Sequence, residues 1–256
     1  MEVIKFLWRR VHSACTGFRQ KFFQKEQSMG QTRDRLRRMG LTRAHIKALF
    51  VGPFVAPWIL ALHLTKQQRR TIIQTPDPVR FGTLLLALRD IQTELIPGSL
   101  AECGVAQGTT SRFIHNALPD RRLYLFDTFS GFDQRDSDAA GDTRFKDTSV
   151  ARVLRTIGDD HNIIVRQGYF PETTRGLENE SFAFVMIDFD KYDPTLAALE
   201  FFYPRLSRGG YLFIHDYNST ESGRACFKAL TTFLSDKSEK PIGIPDSWGT
   251  AVLRKV

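Results

Sequence analysis

Apolar and polar positions along this chain follow two alternating periods. Residues 79–95 (VRFGTLLLALRDIQTEL) place apolar side chains at helical spacing and stop at Pro97-Gly98, a pair that cannot continue a helix. Short apolar runs of strand type then occur at 99–105, 122–126, 162–166, 182–187 and 211–215. Helical patterns separate them at 109–118, 149–157, 194–206 and 222–234. Within 194–206, Leu196, Leu199, Tyr203 and Leu206 share one face, and Pro194 suits a first helical turn. Strands that read as unbroken apolar runs are buried on both faces, as in a parallel sheet covered by helices. The alternation therefore predicts an α/β fold, a doubly wound and mostly parallel sheet with right-handed crossovers. Two short β-like pieces, 240–244 and 249–256, flank Pro245-Asp246-Ser247 and are expected to close the sheet as an antiparallel hairpin.

The first part of the chain follows a different pattern. Residues 1–45 look helical, amphipathic and basic, and 48–64 (ALFVGPFVAPWILALHL) form the one strongly apolar run. That run is short for a membrane span and is broken by Gly52, Pro53 and Pro57, so it reads as a buried or interface element. The pattern divides the chain into a basic, mostly helical extension (1–78) and a catalytic domain (79–256). Segment 133–148 (DQRDSDAAGDTRFKDT) has low hydrophobicity and is expected to be a mobile loop, part of a lid spanning 129–150.

Composition narrows the picture. A chain of 256 residues holds one good-sized α/β domain plus an appendage, and 42% apolar with 25% charged residues is ordinary for a soluble protein. Net charge is +8, yet residues 1–50 alone hold 12 Lys and Arg against 3 Asp and Glu, so the catalytic part is close to neutral. The basic arm suits docking of a second subunit, which predicts a homo-oligomer; peripheral contact with an anionic inner membrane face through residues 1–64 is the alternative. Residues 1–23 lack the apolar core of a secretory signal. Cys15, Cys103 and Cys226 are odd in number and contain no C-x-x-C pair, which excludes a disulfide framework and a cysteine zinc site and points to the cytoplasm.

The chemistry collects at strand ends. The first strand runs into Glu102-Cys103-Gly104-Val105-Ala106-Gln107-Gly108-Thr109. Gly104 and Gly108 allow a tight turn with close backbone approach, and Thr109 is placed to cap the next helix. A dinucleotide needs G-x-G-x-x-G, but Ala106 fills the middle position and the third glycine is missing. S-adenosylmethionine carries no phosphate and tolerates such a loop; it needs an acid at the second strand end for its ribose hydroxyls, and Asp127 stands there. The fourth strand ends Asp188-Phe189-Asp190-Lys191, the fifth His215-Asp216-Tyr217-Asn218. Adjacent parallel strands lie about 4.8 Å apart, which brings Asp188 and Asp216 side by side. Carboxylates so close repel unless one is protonated or a cation sits between them, and oxygen ligands suit Mg²⁺.

The ordered blocks ECGVAQGTTS, LYLFDTFSGF, RQGYFPETT and MIDFDKYDPTLAALEFFYPRLSRGGYLFIHDYNS resemble the TylF/MycF-type sugar O-methyltransferases over about residues 80–256. The resemblance implies that Glu102, Gly104 and Ser111 lie along the methionine side of S-adenosylmethionine, Asp127 and Thr128 hold the ribose, and Gln167-Gly168 border the adenine. It further implies that Asp188 and Asp216 ligate the metal, Asp188 also bordering the cofactor, with Asp188 or Asp190 as base. His215 stands where that family often has another aspartate, leaving the third ligand to His215 or Asn218. Lys191 follows D-x-D as in the catechol and caffeoyl-type enzymes, where a lysine helps deprotonate the acceptor.

The expected activity is Mg²⁺-dependent methylation of a hydroxyl on a sugar or glycosylated small molecule. Alternatives are a phenol or catechol methyltransferase using Lys191 and a membrane-associated protein that binds S-adenosylmethionine. No N-P-P-Y-type motif is present, so no nucleic-acid partner is expected.

Overall fold

The structure, a computed structural model, describes residues 64–256. The basic arm expected at 1–45, the apolar run up to residue 63, and the membrane and self-association roles assigned to them lie outside the described residues. Two compact units, Met1–Pro78 and Val79–Val256, divide the chain. In the first, helix α1 (Lys66–Ile73) opens with a capping box: Thr65 Oγ1 accepts the Gln68 N–H and the Gln68 side chain accepts the Thr65 N–H. No helix of the described residues is long and apolar enough to cross a membrane.

In the second unit, helix α2 (Pro78–Thr93) buries Phe81, Leu84, Leu85, Leu88 and Ile91, the spacing that brings side chains onto one helix face. The sheet follows: β1 (Ser99–Cys103), β2 (Leu123–Asp127), β3 (Ile163–Gln167), β4 (Phe182–Ile187), β5 (Leu206–Ile214), β6 (Ile242–Ile244) and β7 (Thr250–Arg254). Helices α3 (Thr109–Ala117), α4 (Val150–Ile157), α5 (Tyr192–Arg205) and α6 (Ala225–Phe233) lie between the strands in sequence. Strand order is β3-β2-β1-β4-β5-β7-β6, with β1 to β5 parallel. The doubly wound fold is thus observed. Order reverses between β1 and β4, the switch point where open α/β sheets bind ligands.

The terminal hairpin enters with its strands exchanged in space. β7 pairs antiparallel with β5, and β6 takes the edge. Residues Thr250 to Leu253 are fully buried, whereas Ile242 on β6 is exposed, so the strand with the longer apolar run takes the interior place. At the opposite edge β3 is only half-buried, where continuous apolar reading implied burial on both faces. β5 also starts five residues earlier than its apolar run suggests, because Leu206 leaves α5 directly into the sheet.

Each face of the sheet has its own core. On one, Phe126, Phe170, Phe182 and Phe202 meet edge to face or offset, with ring centres 4.9–6.0 Å apart. On the other, Leu100, Leu123, Leu125, Phe184 and Met186 join the apolar face of α2. Burying a side chain of this size contributes roughly 1.5–3 kcal/mol, and the two layers together fix where the ends of β1, β2, β4 and β5 converge.

Candidate active site

β1 gives way to the first loop at Gly104 (φ +83°), and a methyl there would run into the backbone carbonyl of Asp188. The approach is this close because the Asp188 N–H donates to the Cys103 carbonyl at 2.7 Å, drawing the ends of β1 and β4 together. Gly108 (φ +79°) is itself the N-cap of α3 and Thr109 is already helical, so the capping role expected of Thr109 falls to a glycine with no side-chain bond. Under this loop Glu102 is almost wholly buried and accepts the Ser111 hydroxyl; burial pushes its carboxyl up to about 8. Neither Glu102, Ser111 nor Gly108 lines the cavity.

Asp127 ties the two loops together. Its Oδ2 accepts the N–H groups of Val105 (2.7 Å) and Ala106 (3.1 Å), and Oδ1 accepts that of Phe129 (2.7 Å). Three of its roughly four acceptor positions thus hold backbone in place, leaving one on Oδ1 for a ligand donor. Thr128 lies beside it and donates to the Gly131 carbonyl. Gln167 reaches back to the Thr128 carbonyl at 3.4 Å and, with Gly168, lines a shallower recess next to the main cavity.

The main cavity, about 250 Å³ and open to solvent, runs from Gly104, Asp127 and Thr128 to Asp188, Asp190, His215 and Asp216. His215 Nδ1 lies 2.9 Å from Asp188 Oδ1 and 3.5 Å from Asp216 Oδ1, and Arg80, from α2, approaches Asp188 Oδ2 at 3.7 Å. Burial opposes charge on the imidazole, but Asp188 and Asp216 outweigh it and push His215 up to about 10. Burial, then the neighbouring Asp216 and Asp188, hold the Asp190 carboxyl well above the usual range. Burial pulls Asp216 the same way, yet hydrogen bonds from His215 and Asp190 win and lower it. The pair therefore shares a proton that resides on Asp190. Asp190 (φ +61°) and Asp216 (φ +55°) both adopt left-handed backbone, which costs a non-glycine residue about 1–3 kcal/mol and gathers at functional sites.

Asp188, His215 and Asp216 each offer a ligand atom, all within 4.8 Å of one another. Two carboxylates and an imidazole fit a divalent cation, which would displace the proton that Asp188 and Asp216 hold on His215 in the metal-free chain. Asn218 lies beside Gly249, its backbone N–H donating to the Trp248 carbonyl. Asp190 and Asp193 do not cap α5; Asp193 instead accepts the Ser137 N–H at 2.7 Å.

Lys191 is buried and turned away from the cavity. Its ammonium donates to the Asp138 carbonyl (2.9 Å) and Asp142 Oδ2 (3.0 Å) and lies over the Phe132 ring. Segment 133–148, expected to be loose, is pinned further by Tyr169 on Asp136, Tyr192 N–H on Asp138, and Thr148 on the Ala106 carbonyl. Arg144 leaves this loop toward Asp142 (2.8 Å), Asp190 (3.6 Å) and Glu221 (3.9 Å). Sequence reasoning did not single out Arg80, Arg144, Tyr169 or Trp248. Arg80 sat in a helix read only for its apolar face, and Arg144 in a loop read only as a block.

The tetracenomycin-C 4'-O-methyltransferase of Streptomyces olivaceus, whose full name specifies the 8-demethyl-8-(2,3-dimethoxy-alpha-L-rhamnosyl) compound, is 28% identical over 156 residues, 54% of this chain and 60% of its own. Mycinamicin III 3''-O-methyltransferase of Micromonospora griseorubida is 30% identical over 142 residues, 48% of this chain and 56% of its own. The chain thus spans little more than half the length of these curated relatives. Among solved structures, the O-methyltransferase NovP superposes with a TM-score of 0.59 at 22% identity, covering 70% of this chain and 80% of that one. The calicheamicin methyltransferase CalS11 gives 0.56 at 17%, covering 84% and 93%. Both support the fold. The family model described as macrocin-O-methyltransferase (TylF) matches residues 77–254, the greater part of the sequence and nearly all of the unit that carries the cavity, and the chain belongs to that family.

Proposed function

We propose that the protein is an S-adenosylmethionine-dependent O-methyltransferase acting on a hydroxyl of a sugar or glycosylated small molecule, with a divalent cation held by Asp188, His215 and Asp216. One observation carries the reading: Gly104, Asp127 and the Asp188–Asp190–His215–Asp216 cluster line a single cavity. The names of the relatives, O-methyltransferases of a rhamnosyl tetracenomycin and of mycinamicin III, supply the acceptor class.

S-adenosylmethionine brings its methyl group on a sulfonium, already activated for in-line displacement. A cation held by Asp188, His215 and Asp216 would supply the electrostatic pull that lowers the pKa of an aliphatic hydroxyl. The chain must position that hydroxyl and take its proton. Asp190 faces the cavity and holds the proton it shares with Asp216, so it can take the acceptor's proton only once that proton has been given up. Arg80 and His215 hold Asp188 from two sides. The pinned 129–150 segment contributes Phe132, Arg144 and Phe145 to the cavity wall, with Arg144 reaching to 3.6 Å from Asp190. Lys191 anchors that wall. Residues 79–256 are assigned to catalysis in the cytoplasm and 1–78 to self-association.

The test is transfer of labelled methyl to a panel of glycosides and catechols, with the full chain and with Asp188→Ala. Glycoside methylation that fails in Asp188→Ala and in EDTA, while adenosylhomocysteine still binds, is expected. Full turnover in chelator would remove the cation from the mechanism.

A further inference from the structure

We propose, building on the cation-assisted reading above, that this site selects a first-row transition dication such as Mn²⁺ over Mg²⁺, and that the His215 imidazole sets the preference. His215 Nδ1 is the nitrogen turned into the cluster, 2.9 Å from Asp188 Oδ1 and 3.5 Å from Asp216 Oδ1. The side chain is only 7% exposed, and its backbone N–H is bonded to the Ile187 carbonyl at 2.9 Å. His215 directly follows β5, and its backbone bond and the burial of its ring restrict the positions the nitrogen can take.

The donor chemistry separates the ions. Mg²⁺ is small, demands near-ideal octahedral oxygen ligation and sheds water reluctantly, whereas imidazole suits first-row ions, Fe, Ni, Cu and Zn above all, with Mn²⁺ the weakest-bound member of that series and the paramagnetic probe for it. Charge works in the same direction. The ligand group carries two carboxylates, and the third nearby, Asp190, is engaged with Asp216 and with Arg144 at 3.6 Å. Arg80, 3.7 Å from Asp188, reduces the local negative potential further. A hold that is purely electrostatic weakens under these conditions more than one containing a metal–nitrogen bond.

The experiment uses the full chain, stripped of metal and titrated with Mn²⁺ while free ion is followed by electron paramagnetic resonance. Mg²⁺ then competes, and pulsed measurements search bound Mn²⁺ for ¹⁴N modulation. Expected are nitrogen coupling in the native protein and a preference for Mn²⁺ of about tenfold or more. His215→Asp should lose the coupling and shrink the preference by a similar factor. His215→Gln, which adds no charge to the cluster, should also lose the coupling and serves if the aspartate variant does not fold. Bound Mn²⁺ without nitrogen coupling, or an unchanged preference in the variant, overturns the proposal while leaving the cation reading intact. Failure of both ions to bind the native chain removes both readings. No acceptor or turnover is needed, so an error about the substrate would not disturb the result.

Discussion

Glu102→Gln should stabilise the protein, and increasingly so as pH rises. The carboxyl sits at the end of β1 with almost no exposure, and burial raises it from 4.5 to about 8. Between these values the folded state binds a proton that the unfolded state has released, so stability falls as pH increases and levels off above the folded value. At about 1.4 kcal/mol per tenfold change, the native carboxyl costs on the order of 3–5 kcal/mol once it ionises. Glutamine keeps a side-chain oxygen to accept the Ser111 hydroxyl and cannot ionise. For a chain of this size, about 2–4 °C per kcal/mol places the variant roughly 6–20 °C above the native protein at pH 9. The two should converge toward pH 4, below the unfolded carboxyl's 4.5, where the side chain is neutral in both states, and should differ by less than about 1 kcal/mol at pH 5. Thermal unfolding followed by circular dichroism across pH 4 to 9 measures the difference directly. A constant offset, or a variant that is less stable at every pH, would refute the buried-proton account.

The remaining predictions concern the loops. Gly104→Ala forces a side chain into left-handed backbone and against the Asp188 carbonyl, so a loss of roughly 2–4 kcal/mol is expected, read as a lower melting temperature with weaker adenosylhomocysteine binding by calorimetry. Asp127→Ala frees three backbone N–H groups and should weaken adenosylhomocysteine binding at least tenfold; an unchanged Kd would show that its carboxylate serves the loops alone. Lys191→Met removes both ammonium contacts to the 133–148 segment, and hydrogen exchange there should accelerate. A loss of kcat with exchange unchanged would instead favour a catalytic lysine.

Much of the fold was legible because β2 and β4 are near-continuous apolar runs and α2 carries apolar residues at helical spacing, and burial on known faces leaves such segments few options. Asp127, Asp188 and Asp216 could be named for a related reason: in a parallel sheet the residues just past neighbouring strands emerge on one edge. The hairpin was visible as two strands, but its order in space was not. That depended on which strand had more surface to bury against β5.

What the sequence by itself determined, then, was the alternation of elements and the gathering of acids at one edge, because both follow from local periodicity and strand spacing. Tertiary structure alone decided how each acid behaves. Asp190 holds a proton because burial and Asp216 act on it together, and Lys191 serves the loop because Asp138 and Asp142 fold back over it. Arg80 and Arg144 reach Asp188 and Asp190 from segments distant in the chain. Charge, burial and hydrogen bonding between residues far apart in sequence have no signature in the periodicity of any one segment.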